Sequence, residues 1–366
     1  MPALAPGQGE CCVSVVLVVL GVWENQAKGM SQIVFGGEMN NRSVLLVVTA
    51  MALACFAGIG SAQDKIVIKA AHTTSEDYPY QIGLLAMGKA LNEKTAGRVE
   101  MQIFPNGALG GDERKVLESV QLKTVGLTVV NGAVVSNFTK KADVFNLPFI
   151  FRDIKHLFAS MDGEPGKIIA GELEKKGLKV IAWYANPDRH LFTTKKQVTR
   201  LEDMKGMKIR VTQSPVSIET FKALGALPTP MAFGELYSGL QMGVVDGGEN
   251  DWFGIRGMKF YEVAPNITLT GHFMVACPVV VNKDWYDKLP EALKKPFDES
   301  VAIGQKAMRD YMINETEKIQ KEVGSMGGKV VAVSDVEKWR QATAPVYQMF
   351  YDTIGKDLID MVINVK

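Results

Sequence analysis

The chain has 366 residues, of which 47% are hydrophobic and 22% charged, and its formal net charge is +1. This composition is typical of a globular protein and excludes a disordered chain, while the length predicts one large or two medium-sized domains. The sequence has no basic stripe interleaved with aromatic residues, so no nucleic acid partner is expected.

The N-terminal region has the pattern of an export signal. Residues 39–42 include Arg42, residues 44–59 are apolar, and residues 60–62 are small. A positive start, an apolar core and a small-residue cleavage site predict a secretory signal peptide within residues 1–62, with translation from Met39 and cleavage after Ala62. An uncleaved membrane anchor is the alternative, although a bilayer span needs about twenty apolar residues.

Cysteine positions fit an exported protein that is held together by its core. Of Cys11, Cys12, Cys55 and Cys277, only Cys277 follows the expected cleavage point. A mature chain with one cysteine has no internal disulfide, and we expect Cys277 to be a small buried hydrophobe.

Strand and helix patterns alternate through the first part of the mature chain. Alternating β-branched and apolar residues at 65–71 and 99–104, and an apolar run at 125–130, predict strands. Helical spacing of apolar residues predicts helices over 80–95 and 112–122. This alternation favours an α/β fold with a mostly parallel sheet.

The alternation continues and then gives way to helix. Apolar residues at helical spacing over 292–323 predict a long helix, and a last helix begins at Val336. The remaining predicted elements are strands at 178–184, 208–211, 244–245 and 264–270, and helices at 217–224 and 233–242.

Catalytic and metal-binding signatures are missing from the sequence. The glycine-rich segments 107–111 and 163–168 have the spacing of neither a dinucleotide fingerprint nor a phosphate loop. The four histidines are scattered without metal-ligand spacing, so we expect no enzyme activity, no cofactor and no metal. His72 is a candidate site residue because it ends the first strand, where open α/β sheets place their ligands.

Two arginines beside strand-like runs are candidate ligand-binding residues. Arg189 and Arg210 have the rigid fork that holds a planar carboxylate through two parallel hydrogen bonds, although most arginines simply lie on the surface. Asn250 ends a glycine-rich turn at 246–250, where the backbone can approach a ligand closely. Trp252 either covers a ligand or fills the core.

Several motifs in fixed order resemble one family over essentially the whole mature chain. They are FPNGALG at 104–110, NLPFIF at 146–151, KGMKIR at 205–210, ELYSGLQ at 235–241 and GVVDGGEN at 243–250. In this order and spacing the chain resembles the solute-binding proteins of tripartite ATP-independent periplasmic (TRAP) transporters.

The resemblance implies a two-lobe α/β periplasmic-binding-protein fold, the Venus flytrap, with crossing strands and a long C-terminal helix. Lobe I would comprise residues 63–186 and 276–315, and lobe II residues 187–275 and 316–366. It also implies a monomeric periplasmic receptor that passes its ligand to small and large integral membrane subunits.

The resemblance also implies the roles of site residues. Arg210 would form the principal salt bridge to a ligand carboxylate, Arg189 would be the secondary arginine, and Asn250 would be the polar group from the second lobe. The other residues expected to face the cleft are Asn131, His72, Glu76, Phe233 and Trp252.

The ligand itself is open at this point. Some sialic-acid-binding members that resemble this chain carry a glutamate at the place of Asn131, which argues against a sialic acid. A sugar acid such as a uronate or aldonate is expected, with a C4-dicarboxylate as the alternative. An exported α/β enzyme and a ligand-sensing module are the alternatives from other functional classes.

Overall fold

A computed structural model of the protein describes residues 65–366, and the expected start at Met39, the signal peptide and its cleavage site lie outside them. The strands are β1 Ile66–Ala71, β2 Val99–Phe104, β3 Leu127–Val129, β4 Leu178–Thr193, β5 Lys208–Val211, β6 Leu227–Pro230, β7 Gly247–Asn250, β8 Asn266–Asn282 and β9 Lys329–Ala332.

The α-helices are α1 Pro79–Lys94, α2 Glu113–Gln121, α3 Gly132–Val135, α4 Ile154–Asp162, α5 Glu164–Glu174, α6 Pro215–Ala223, α7 Leu236–Gln241, α8 Trp252–Gly257, α9 Phe260–Val263, α10 Lys283–Asp287, α11 Glu291–Ser325, α12 Val336–Met349, α13 Tyr351–Ile354 and α14 Lys356–Ile363. Short 3₁₀ helices cover Lys140–Asn146, Leu201–Met204 and Phe233–Glu235. Among residues 65–366, no helix has the length and apolarity that crossing a bilayer requires.

The strands form one nine-stranded sheet in the order β2-β1-β3-β8-β4-β7-β5-β6, with β9 beside β8. β1 pairs in parallel with β2 and β3, as β5 does with β6 and β7. The expectation of a mostly parallel sheet is corrected here, because the longest pairing, β4 with β8, is antiparallel, as are β3 with β8 and β4 with β7. The sheet is therefore mixed.

Register shifts in the long β4–β8 pairing divide the sheet. Of its three shifts, two lie close together, between Asn186 and Arg189 and between Arg189 and Leu191, and such bulges bend a strand and change its local twist. We call β2, β1 and β3, with residues 178–186 of β4 and 275–282 of β8, the first half of the sheet. The second half contains β7, β5, β6 and β9 with the remainder of β4 and β8.

Several predicted elements differ from the observed ones. β2 and β5 have the predicted bounds, whereas β4 and β8 extend about nine to twelve residues beyond the predicted strands. The strand predicted at 244–245 is wrong, since those residues lie in a turn and the strand is β7 at Gly247–Asn250. The helix predicted over 233–242 begins as a 3₁₀ helix, and β9 was not predicted.

The long helix α11 spans 35 residues and packs against α1 and β4. Its Gly304 lies so close to α1 that a Cβ added there would be 2.7 Å from the carbonyl oxygen of Gly83. This close approach fixes the two helices against each other.

One edge of the sheet is the proline-containing strand β6. Leu227 and Met231 at its two ends donate their backbone N–H groups toward β5, to Met207 and Val211. Because successive residues of a strand alternate, the nitrogens of Pro228 and Pro230 face away from β5, on the open side.

Candidate functional site

Side chains from both halves of the sheet surround one cavity. It holds about 520 Å³ of empty space counted out to its opening, and it lies where chain segments leave the carboxyl ends of β1, β3 and β5. Ligands of open α/β sheets bind at such strand ends. The cavity is lined by Thr74, Tyr78, Tyr80, Asp112, Glu113, Asn131, Val134, Asn186, Arg189, Arg210, Thr212, Gln213, Met231, Ala232, Phe233 and Asn250.

Arg210, on β5, is a buried cation with unused donor capacity. Its Nε and Nη2 donate to the carbonyl oxygen of Met231 at 3.1 and 2.9 Å. The buried Nη1 makes no hydrogen bond, and no carboxylate lies within 4.0 Å of the guanidinium, among residues 65–366. Burial lowers the pKa of Arg210 to about 10, so the side chain stays charged at neutral pH. An anion in the cavity would offset the cost of burying this charge.

The aromatic ring of Phe233 lies beside the same guanidinium. Its centroid is 5.8 Å from Cζ of Arg210, within the range of a cation–π contact. Phe233 begins the 3₁₀ helix that follows β6 and is partly buried. The ring and the carbonyl of Met231 together hold the guanidinium in one orientation.

Arg189, on β4, is neutralised within the chain. Its Nε and Nη2 donate to the two carboxylate oxygens of Glu249 at 2.5 and 2.8 Å. Nη2 also donates to the backbone oxygen of Glu249, and Nη1 donates to Oδ1 of Asn250, both at 2.9 Å. Since a guanidinium has five N–H donors, these bonds leave one of them, on Nη1.

The pKa values of this pair reflect their contact. Burial alone would lower the pKa of Arg189, but the charge of Glu249 outweighs it and raises the pKa above its ordinary value. Burial alone would raise the pKa of Glu249, but Arg189 and His272 hold it at about 2. The pair therefore remains ionised across the physiological pH range.

The turn predicted to carry Asn250 is instead the buried strand β7, and the side chain is not exposed. Its Oδ1 accepts hydrogen bonds from Arg189 and from the backbone N–H of Asp251. Gly247 and Gly248 allow this strand to lie close to β4, since a Cβ on Gly247 would be 2.5 Å from the carbonyl oxygen of Phe192. The glycines thus serve strand packing, and β7 brings Asn250 to the cavity.

Glu113 is a cavity-lining carboxylate that was not predicted as a site residue. Asp112 caps helix α2 by accepting from the N–H of Arg114, and Glu113 is the first helical residue. The Glu113 carboxylate accepts from Oγ1 of Thr73 at 2.8 Å and from the N–H of Asn131 at 3.1 Å. Burial raises the pKa of Glu113. Its position, in the turn that follows a strand end and opens a helix, is the signal that could have identified it.

Asn131 lines the cavity from the end of β3. Its Oδ1 accepts from the N–H of Ala133 at 2.9 Å and caps α3. Five of the eight predicted residues, Arg210, Arg189, Asn250, Asn131 and Phe233, therefore meet around one space.

The other three predicted residues lie outside the cavity lining within residues 65–366. His72 is buried behind it, with Nδ1 2.9 Å from Oγ1 of Thr74 and Nε2 2.8 Å from Oε1 of Gln81. Glu76 is exposed on the loop after β1. Trp252 is 1% exposed and packs against His190 with ring centroids 5.3 Å apart, so it fills the core. Of the segment between β1 and α1, Thr74 and Tyr78 line the cavity.

Comparison with known proteins gives the same family across nearly all described residues. Residues 70–353 match the family model described as bacterial extracellular solute-binding protein, family 7. The C4-dicarboxylate-binding periplasmic protein DctP of Vibrio cholerae serotype O1 is 32% identical over 321 residues, which is 86% of this chain and 96% of that protein.

Solved structures agree with the family match. A TRAP periplasmic solute-binding protein from Polaromonas sp. JS666, bound to D-erythronate, is 33% identical with a TM-score of 0.79, covering 82% of this chain and 99% of that one. The sugar acid binding protein DctPAm from Advenella mimigardefordensis, in complex with galactonate, is 29% identical with a TM-score of 0.80, covering 82% and 98%. These neighbours have the two-lobe fold. This chain therefore belongs to family 7 of the bacterial extracellular solute-binding proteins, the DctP family of TRAP receptors, which are binding proteins and not enzymes.

Proposed function

We propose that the protein is the periplasmic receptor of a TRAP transporter and binds a sugar acid through a salt bridge between Arg210 and the ligand carboxylate. The observation that carries this proposal is the buried Nη1 of Arg210, which makes no hydrogen bond to residues 65–366, on a cation that lines the cavity. A carboxylate is the anion that matches an arginine fork.

The neighbours of Arg210 favour one carboxylate and several hydroxyl groups on the ligand. Arg189 has one N–H left after its bonds to Glu249 and Asn250, which is too few to clamp a second carboxylate. Glu113 would repel a second carboxylate but accept hydrogen bonds from hydroxyls. A polyhydroxy monocarboxylate satisfies both groups, as the erythronate and galactonate complexes of the two solved relatives illustrate.

A C4-dicarboxylate is the second candidate. The relative from Vibrio cholerae is named for binding this class, and Arg189 lies in the cavity together with Arg210. For a dicarboxylate to bind, Glu113 would have to take up a proton, which its raised pKa makes easier.

Export and transfer complete the proposal. The signal peptide would be cleaved near Ala62 and the mature receptor released into the periplasm. Lobe I would comprise residues 63–186 and 276–315, lobe II residues 187–275 and 316–366, with the cavity between them. Ligand contacts to both lobes would stabilise the closed form, which the integral membrane subunits would recognise.

Calorimetric titration of the purified protein tests the ligand class. The probes are D-erythronate, D-galactonate, D-galacturonate and succinate, with neutral D-galactose as a chemical control. We expect the sugar acids to bind, and Arg210→Ala to weaken the tightest of them by about thirtyfold or more, because truncating one partner of a buried charge pair costs about 2 kcal/mol or more.

Two further variants make the test specific. Arg210→Lys should also bind weakly, because a point charge does not reproduce the planar fork. Arg200→Ala removes an exposed arginine and should leave affinity unchanged. Near-native affinity of Arg210→Ala, or binding of galactose alone, would overturn the proposal.

A further inference from the structure

Away from Arg210, the loop between β1 and α1 contacts α8 through an ion pair. Nη2 of Arg256 donates to Oδ2 of Asp77 at 2.5 Å, and Nη1 donates to Oε2 of Glu322 on α11 at 3.0 Å. Ser75 packs directly on Gly257, where an added Cβ would be 2.1 Å from the serine Oγ. The loop and α8 are therefore in contact with no free space between them.

A buried hydrogen bond connects this contact to the cavity. Tyr78, which lines the cavity, donates its hydroxyl to Oδ2 of Asp251 at 2.6 Å. Asp251 caps α8 by accepting from the N–H of Gly254, and it directly follows Asn250. Residues 250–256 therefore connect Asn250, which lines the cavity, directly to Arg256 on α8.

These contacts join the two halves of the sheet. Asp77 lies on the loop that continues β1, in the first half, and Arg256 lies on the helix that continues β7, in the second half. In the lobe division proposed above, Glu322 belongs to the same lobe as Arg256. Arg256 therefore has one carboxylate partner across the cleft and one on its own side.

We propose that Asp77 and Arg256 form a closure latch, an ion pair that is made when the lobes close and that slows ligand release without touching the ligand. This inference rests on the proposed receptor function. The Asp77 side chain is 49% exposed and that of Arg256 is 17% exposed, so the pair is hydrated enough to break when the lobes separate. The pair of Arg256 with Glu322 stays within one lobe of that division, so lobe closure neither makes nor breaks it.

Single-molecule energy transfer between labels on Lys115→Cys and Lys205→Cys measures the closed-to-open ratio. Both lysines are exposed and lie in different halves. The labelled protein is the mature chain from residue 63, in which Cys277 is the one native cysteine. It is buried, and burial raises the pKa of its thiol to about 12, so it will not take up label. In the doubly labelled protein we would compare Asp77→Asn, Arg256→Gln, the double variant and the control Glu322→Gln. Each would be measured without ligand and with D-galactonate, D-erythronate or succinate.

Each cross-cleft variant should lower the closed-to-open ratio by about two- to fivefold, the range of partly exposed ion pairs. The double variant should fall no further than either single one, and Glu322→Gln should leave the ratio unchanged. An unchanged ratio in both single variants, or an equal fall in Glu322→Gln, would overturn the latch. If none of the three acids changes the transfer efficiency, the receptor proposal fails for them, while the ratio without ligand still tests the latch.

Discussion

Arg189 and Arg210 carry the same side chain, and their neighbours give them different chemistry. Glu249 takes three hydrogen bonds from Arg189, so that arginine organises β4 and β7 and adds little free charge to the cavity. Arg210 meets only a carbonyl oxygen and an aromatic ring among the groups of residues 65–366 that contact its guanidinium. The local pairing of each arginine, which sequence spacing does not reveal, separates the cation that is neutralised within the chain from the one whose Nη1 is left without a partner among residues 65–366.

Glu113→Gln should change ligand preference. The substitution removes the negative charge that favours hydroxyl donors and repels a second carboxylate, so affinity for D-galactonate should fall by about tenfold, since hydrogen bonds to charged groups contribute about 1.5–3 kcal/mol. Affinity for succinate should fall less or rise. The ratio of the two calorimetric dissociation constants is the measurement.

Glu118→Gln is the matched control for this change. Glu118 lies on the same helix, but its side chain is 43% exposed and is paired with Arg114. Glu118→Gln should leave the ratio of the two dissociation constants at its wild-type value. If Glu113→Gln also kept the wild-type ratio, that result would argue against a role for Glu113 in selectivity.

Among the helices, α1 and α11 meet at a point where neither backbone has room for a side chain. Gly83 and Gly304 face each other there, and the hydroxyl of Tyr184 on β4 lies beside both. Because α11 also packs on β4, this contact fixes the long helix relative to the sheet. By contrast, Gly324, near the end of α11, has open space around it.

Gly304→Ala and Gly324→Ala should therefore have opposite effects on the free energy of unfolding. The first places a Cβ 2.7 Å from a carbonyl oxygen and 2.8 Å from Cβ of Met87, and such overpacking costs about 1–3 kcal/mol. The second should stabilise the protein by about 0.5–1 kcal/mol, because alanine favours helix. Urea denaturation of both variants provides the measurement, and equal stabilities would contradict the close contact.

At the scale of the whole molecule, a second polar contact joins segments that belong to different halves of the sheet. The buried Asp143, in the 3₁₀ helix Lys140–Asn146, accepts from Oγ of Ser214 at 3.2 Å, and Ser214 caps α6 after β5. Burial raises the pKa of Asp143 from 3.8 to about 6. Its carboxyl group binds a proton more tightly in the folded protein than in the unfolded chain.

The sign of the resulting pH dependence follows from linkage. The stabilising contribution of protonated Asp143 is complete below pH 3.8 and is lost as the pH rises through about 6, amounting to at most about 3 kcal/mol. Asp143→Asn keeps an acceptor for Ser214 but does not titrate. Relative to this variant, the wild type should lose unfolding free energy between pH 4 and 6 in urea denaturation.

Asp153→Asn gives a control of opposite sign. Asp153 caps α4, and its hydrogen bond from the N–H of His156 lowers the pKa of its carboxyl group. That contribution is present above pH 3.8 and is lost as the pH falls below it. Parallel pH profiles for wild type and Asp143→Asn would show that Asp143 is not desolvated as described.

The elements with clear periodicity could be predicted from sequence, and those shaped by tertiary pairing could not. β2 and β5 show simple alternation and were predicted with their observed bounds. The alternation of β4 is interrupted by Asn186, Arg189 and His190, polar residues that are buried in the folded chain, so the sequence predicts too short a strand. β7 was missed because Gly247 and Gly248 lack the side chains typical of a strand, although close packing against β4 requires them.

The same distinction holds for the cavity. Arginine chemistry and motif order predict Arg210, Arg189, Asn250, Asn131 and Phe233 as site residues, and all five line one cavity. His72 and Trp252 were indistinguishable from lining residues because sequence does not give the direction of a side chain at a strand end or helix start. Glu113 was overlooked because an acidic residue in a first helical turn is explained by the helix dipole alone.

The two prolines of β6 bear on how the protein behaves at high concentration. With their nitrogens on the open side, Pro228 and Pro230 remove alternate N–H donors from the row that an incoming strand would need. Edges with this composition resist strand addition and the aggregation that follows from it. The margin where the sheet ends is thereby protected against pairing with another copy of the chain, by residues that lie outside the cavity lining.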